Sequence, residues 1–330
     1  MKRITICIVL LFLVGLLPMN VQAEEKTVNL MSAPFGTGSY VLGSALEEIS
    51  KTRHPWLRIS HSESPGLVFS IKKLGKEPES RKTTIVSSTI GVNWLAQKGM
   101  QPFDQKYEGL MLLANYNLVS VWLATLKPEI KTVPELAGKK LALGRTTQIS
   151  WAVEPEMILR IGWDMQDKVN LQYVGTKPAV AALTDGLVDA AVIGGYLDPI
   201  NNKMALSPQT VELMASGRNL YHIPWGEEQV KKTARQGIPI TAVTIPANVI
   251  EGLDKPLSSF TDSVAWCAAK EFPENLAYEI TKLIITNCGE FSEYHNLGKL
   301  MSPKALPFGW SADRIHPGAL RAYKEAGIIE

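Results

Sequence analysis

The sequence predicts an α/β protein of two doubly wound lobes joined by a hinge. Three observations lead there. From Thr27 onward, strand-like runs alternate with helix-like runs, the rhythm of βαβ units and parallel sheets. Each run is closed by a Gly, Pro or Ser signal. Two apolar stretches also read as places where the chain passes straight from one lobe into the other. In the first, 110–114 is followed at once by the equally apolar 118–124; the second is 264–269, ahead of a helix opening near Pro273.

Strands are expected at 28–32, 57–60, 84–87, 140–144, 169–174 and 188–193. Helices fall between them. Val41, Leu42, Ala45, Leu46 and Ile49 form an apolar stripe after Ser39. Ser64-Pro65 reads as the start of a second helix, with Leu67, Val68, Ile71 and Leu74 on its buried face and Gly75 as its stop. A third covers 177–183 and ends near Gly186. With crossings near 118 and 264, the first lobe is 24–118 plus 264–330 and the second is 119–263. A cleft between such lobes is where a ligand would be held, and the double crossing is a hinge.

The start of the chain reads as an export signal. Met1-Lys2-Arg3 precedes about 14 apolar residues, Pro18 breaks the run, and Val21-Gln22-Ala23 offers a small residue for cleavage. Spanning a bilayer takes about 20 apolar residues, so an anchor helix is the weaker alternative. A signal peptide of 1–23 is therefore expected, giving a periplasmic protein. Cys7 lies inside the apolar run, not at a lipid-attachment position. The chain carries 34 basic and 32 acidic residues for a net +2, and losing Lys2 and Arg3 leaves it neutral. No charge remains to steer it to nucleic acid. At 45% apolar content the chain can build two lobes, and it contains no second apolar run long enough to span a membrane. Cys267 and Cys288 survive export. A bridge and two separate buried thiols both stay open at this point.

Loops at the carboxyl ends of strands, leading into helix N-termini, are the expected ligand contacts in such lobes. Four qualify: Thr37, Gly38, Ser39 and Tyr40; Ser87, Ser88 and Thr89; Arg145, Thr146, Thr147, Gln148 and Ser150 with Trp151 next to them; and Gly194, Gly195 and Tyr196. Hydroxyls and free N–H groups beside positive helix ends suit a carboxylate. For Ser39 and Thr89 the plain alternative is an N-cap. Arg145 follows a buried strand and is the best candidate for gripping a carboxylate with both guanidinium arms, against the alternative of a solvent-facing loop arginine. Trp151, Tyr196, Tyr40 and Tyr116 could wall the cleft, or simply belong to the core.

The chain resembles the TAXI-type solute receptors of tripartite ATP-independent periplasmic (TRAP) transporters. The matching pieces are Phe35-Gly36-Thr37-Gly38-Ser39-Tyr40-Val41-Leu42-Gly43, Pro134-Glu135-Leu136-Ala137-Gly138-Lys139-Lys140 and Asp185-Gly186-Leu187-Val188-Asp189-Ala190. Later come Thr244-Ile245-Pro246-Ala247-Asn248 and His316-Pro317-Gly318-Ala319 followed by Tyr323-Lys324-Glu325-Ala326-Gly327. The resemblance implies a type II periplasmic-binding-protein fold and a monomeric receptor that delivers solute to integral-membrane TRAP subunits. Glutamate, glutamine or a small dicarboxylate such as 2-oxoglutarate would fit. One departure matters: the family's Gly/Ser-rich loop is here Gly144-Arg145-Thr146-Thr147-Gln148-Ile149-Ser150-Trp151, so side chains must do more of the binding. Pro155 bars a regular helix from starting much before Ala152.

Other readings are weaker. Gly36-Thr37-Gly38 has Val41 where a dinucleotide fingerprint needs its third glycine, and no Gly-Lys-Ser/Thr ending follows. No cofactor is expected. A secreted α/β hydrolase lacks its Gly-x-Ser-x-Gly elbow, and the five histidines are scattered outside any metal pattern, so neither catalysis nor a metal site is expected. His316-Pro317 reads as the start of the terminal helix. A ligand sensor serving a signalling partner would use the same lobe closure and remains the alternative to transport.

Overall fold

The computed structural model describes residues 25–330, so the expected signal peptide at 1–23 lies outside the described residues. The fold is mixed α/β with a curled sheet and helices against it. The chain begins with β1 (Lys26–Met31), α1 (Gly38–Arg53), β2 (Leu57–Ser62), α2 (Leu67–Lys76), β3 (Thr84–Thr89) and α3 (Ile90–Lys98). Next come β4 (Met111–Thr125), β5 (Lys140–Leu143), α4 (Val153–Met157), β6 (Asn170–Tyr173), α5 (Thr176–Thr184) and β7 (Ala190–Asp198). They are followed by β8 (Lys203–Leu206), α6 (Pro208–Met214), β9 (Tyr221–Ile223), α7 (Glu227–Arg235), β10 (Thr241–Ile245) and β11 (Leu257–Ala268). The chain closes with α8 (Glu274–Thr286), α9 (Phe291–Tyr294) and α10 (Pro317–Glu325).

Two groups of parallel strands lie at opposite ends of one hydrogen-bonded order, β2-β1-β3-β11-β4-β7-β5-β6. β1 pairs in parallel with β2 and β3, and β5 with β6 and β7. Between the groups stand β11 and β4, antiparallel to each other and to the strands beside them. The expected parallel units are therefore present, but they do not form separate sheets. β4 runs unbroken across Leu118 and β11 across Val264, the two positions at which the sequence places crossings. Every residue of β4 after Met111 is buried.

The pairing of β11 with β4 is irregular in one place. Val264 opposes Asn117 but Ala265 opposes Asn115, and Trp266 opposes Ala114 but Cys267 opposes Leu112. Tyr116 and Leu113 are thus extra residues. Bulges of this kind bend a strand and re-aim a side chain.

Several sequence expectations need correction. Gly194, Gly195 and Tyr196 are not a loop: β7 continues through them, paired with Val121, Ser120 and Val119 of β4 on one side, and with β8 on the other through Gly195 and Tyr196. A Cβ at Gly194 would lie 2.4 Å from the Ser120 carbonyl oxygen, and one at Gly195 would lie 2.3 Å from that of Ala205. These glycines permit close backbone approach in place of a turn. Ser88 and Thr89 likewise extend β3, opposite Ala265 and Val264. Their backbone groups, with those of Ser87, belong to a ladder and are not a free set of donors. The Ser64 hydroxyl does not cap α2; it donates to the Ser32 carbonyl at 2.7 Å and accepts from Ser70 at 2.9 Å. Gly75 does not end α2 either. The ring of Tyr107 rests where its Cβ would be, 2.5 Å away.

Other expectations match. α4 starts directly after Ala152, α10 starts at Pro317, and the His316 ring accepts from the Gly318 N–H. Cys267 and Cys288 are free and buried, with burial pushing both thiols up, that of Cys288 to about 12.

Gly194→Ala should lower stability by about 1–3 kcal/mol, because Ser120 is backbone and cannot swing aside. A urea midpoint that falls with an unchanged slope checks this; an unmoved midpoint would mean that β4 and β7 can part without cost.

Candidate functional site

The residues nominated from the sequence converge at two places along the β11–β4 crossing. The first is organised by Tyr116. As an extra residue of the bulge it leaves the regular alternation, stacks at 4.7 Å on Trp266, and donates its hydroxyl to Ser39 Oγ at 2.7 Å. Burial raises its pKa, so the phenol stays protonated. Ser39 sits in the first turn of α1, whose N-cap is Thr37, accepting from the Tyr40 N–H at 3.2 Å. A Cβ at Gly38 would meet Leu297 at 2.6 Å and would lie 3.9 Å from the Asn117 side-chain nitrogen. Asn117 Oδ1 and the Trp266 indole N–H are buried there without a hydrogen-bond partner among the described residues. Gly38, Ser39, Tyr116 and Asn117 thus present polar atoms at one junction.

The second place is the first turn of α3. Thr89 caps this helix, its hydroxyl accepting from the Val92 N–H at 3.0 Å. Asp262 of β11 lies across the turn, accepting from the Gly91 N–H at 3.3 Å and from the Ser150 hydroxyl at 2.8 Å. Thr89 and Ile90 also donate to it. Ser150 belongs to the 149–151 turn that precedes α4, so residues 89–91 and 150 are tied together through one carboxylate. Glu154 of α4 is buried beside them. Burial pushes the Asp262 carboxyl up to about 6, against the pull of its four donors. Glu154 is held well above the carboxylate range, first by burial and then by the charge of Asp262.

Other nominated residues lie elsewhere. Arg145, Thr146 and Thr147 are exposed, and the Arg145 side chain runs beside Gly175 with no ion pair among the described residues. The Arg145 N–H donates to Gln148 Oε1 at 2.8 Å, which closes the loop on itself. Trp151 packs under Gly144, and Tyr40 packs edge-on against Phe35 at 5.0 Å and His61 at 4.8 Å. Tyr196 is mostly buried within β7.

Two openings share Met204 and Val249 in their walls. One groove of about 920 Å³ is bordered by Met204, Leu206, Met214, Arg218, His222 and Glu251. The other, about 660 Å³, lies between residues 202–205 and 248–249 on one side and Asn296, Lys299 and Leu300 on the other. Lys203 and Lys299 are both exposed at this opening and form no ion pair among the described residues. Among those residues no helix is long and apolar enough to cross a membrane.

Sequence reasoning missed Asp262, Glu154, Asn117 and the two lysines. Asp262 had a signal, being the one acid in an otherwise apolar and hydroxyl-bearing strand. Glu154, before a proline in a short irregular helix, had none.

The sequence profile of one family matches residues 30–327, nearly the whole chain. The chain belongs to the NMT1-like family. Among solved structures, a TctC solute-binding protein from Polaromonas is similar at 13% identity, with a TM-score of 0.53, over 91% of this chain and 98% of that one. XAC2383 from Xanthomonas citri, determined bound to ATP, is similar at 12% identity, with a TM-score of 0.52, over 92% of this chain and 97% of that one. At these identities the likeness is one of fold.

A carboxyl whose folded pKa lies above its unfolded one is protonated more readily in the native state. Stability therefore falls as pH rises through the interval between the two. For Asp262 that interval runs from 3.8 to about 6, with a loss on the order of 3 kcal/mol. Urea midpoints measured from pH 4 to pH 7 should decline in the native sequence and decline less in Asp262→Asn; equal slopes would refute the assignment.

Proposed function

We propose that this NMT1-like protein is a periplasmic solute receptor of the TAXI type, which captures a small organic anion between its two halves and delivers it to a TRAP-type membrane transporter. The observation that carries the reading is the Asp262 junction. There Thr89 and Gly91, from the residues before the first crossing, and Ser150, from the residues after it, meet on one strand that runs through both. A contact of this kind exists only while the halves are together, so it is where closure would register a bound solute.

In this scheme 24–118 with 264–330 forms one lobe and 119–263 the other. β4 and β11 connect them, and bending near the bulge parts Thr89 and Gly91 from Asp262 and Ser150. Solute enters past Lys203 and Lys299, whose unpaired charges favour an anion. It then meets Ser39 and Tyr116. Arg145, exposed and unpaired, is free to swing onto the solute's carboxylate. The chemistry of an amino acid or a small dicarboxylate suits these contacts. The fold shared with a TctC solute-binding protein agrees with the scheme, and the N-terminal export signal accounts for the periplasmic location. Catalysis has no part in it.

A thermal-shift screen of amino acids and organic acids tests the reading, since a ligand at 100 times its Kd adds about 2.7 kcal/mol of stability. One or more compounds should raise the melting temperature, and Arg145→Ala should weaken the best of them about tenfold or more. An unchanged affinity would remove Arg145 from the site. A screen in which nothing stabilises the protein would remove the receptor reading.

A further inference from the structure

Two acids share the buried junction, and only one of them is served. Asp262, fully buried, takes the N–H groups of Ile90 and Gly91 and the hydroxyls of Thr89 and Ser150. Four donors at the positive end of α3 suit a carboxylate. Glu154 stands next to it with 2% of its surface exposed, and neither of its carboxyl oxygens has a hydrogen-bond partner among the described residues. Its Oε1 lies 2.4 Å from the place a Cβ at Gly91 would take, so only a glycine lets it approach the helix this closely.

Among the described residues no base answers Glu154. Of the charged groups on the elements packed against α4, Arg160 is exposed and turns a guanidinium nitrogen to Met157 Sδ at 2.8 Å. Glu156 accepts from the Tyr173 hydroxyl at 2.8 Å. Asp262 is the charge that acts on Glu154, and beyond it Arg314 is held over the Trp310 ring at 5.1 Å, acting on Asp262 from the far side. Buried polar groups without partners are uncommon in native proteins and mark places where something is missing. What this carboxyl lacks is a partner.

We propose that Glu154 is the recognition group for a protonated amine, so that the solute held between the halves carries an ammonium group that ion-pairs with Glu154 beside Asp262. The inference rests on the receptor reading and narrows it: an amine-bearing acid fits, whereas a dicarboxylate without an amine brings further negative charge to two buried acids. An ammonium offers three N–H donors, enough to serve Glu154 and still reach Asp262. Before binding, Glu154 holds a proton, because burial and the neighbouring acid both disfavour its charged form. When the ammonium arrives the carboxylate becomes the stable form and that proton leaves for solvent. Affinity for the amine therefore rises with pH up to the value at which free Glu154 titrates.

The test is calorimetric titration of the mature protein with matched pairs differing only in the amine: glutamate against glutarate, and γ-aminobutyrate against butyrate. At least one amine should bind tenfold or more tightly than its partner. Titrations at pH 7 in buffers of different ionisation heat should show net proton release on binding, and affinity should be higher at pH 8 than at pH 6. Glu154→Gln should abolish the proton release and the preference; if that variant does not fold, the proton count on the native sequence decides alone. Equal binding of a desamino acid, or binding with no proton released, overturns the inference and leaves the receptor reading standing. Failure of every compound to bind overturns both.

Discussion

The structure depends on one pairing, that of β4 with β11. These strands are long enough to belong to both parallel groups, and each carries a ladder on its outer edge as well as the one they share. A strand buried along its whole length cannot be parted from its neighbours without exposing apolar surface and orphaning backbone groups. Any movement of one half against the other would therefore have to bend the pair. Its irregular stretch, where ladder hydrogen bonds are already broken, is where bending meets least resistance. Tyr116 and Asn117 bring polar atoms to the same stretch.

Electrostatics at the junction follows from that burial. The first turn of α3 offers positive potential and unpaired N–H groups, which a ligand carboxylate would normally satisfy. Here the chain supplies its own carboxylate, Asp262. A second acid then has no helix end left to stabilise it and is forced into its neutral form. Anion recognition at this floor is thus preempted from within, and what remains available to a visitor is acceptor capacity.

Much of the fold could be read from the sequence because its signals are local. Alternating apolar runs gave the parallel units, Pro155 set the start of α4, and the continuity of 110–114 with 118–124 revealed a strand running through. What could not be read depends on partners distant in the chain. Gly194-Gly195 resembles a turn until β4 and β8 are both beside it, and Ser88-Thr89 resembles a loop until β11 arrives. The site shows the same division. Ser39, Thr89 and Ser150 were nominated because hydroxyls near helix starts are visible in sequence, and Tyr116 as an aromatic that could wall a cleft. Glu154 was not, because its significance comes from Asp262, a residue more than a hundred positions away. Arg145 was chosen for its charge type, and the structure places it at the surface beside Gly175.

The bulge has a consequence for the phase of the strand. Side chains alternate between faces, so one extra residue reverses every assignment that follows it. β4 carries two, Leu113 and Tyr116, and the second cancels the first. Only Ala114 and Asn115 lie out of step with Leu112, and by Asn117 the count is restored. Deleting both extra residues would leave the two ends of the strand facing as they do now, with a straight ribbon between them. The irregularity is a local detour, and what it secures is the excursion that carries the Tyr116 hydroxyl to Ser39.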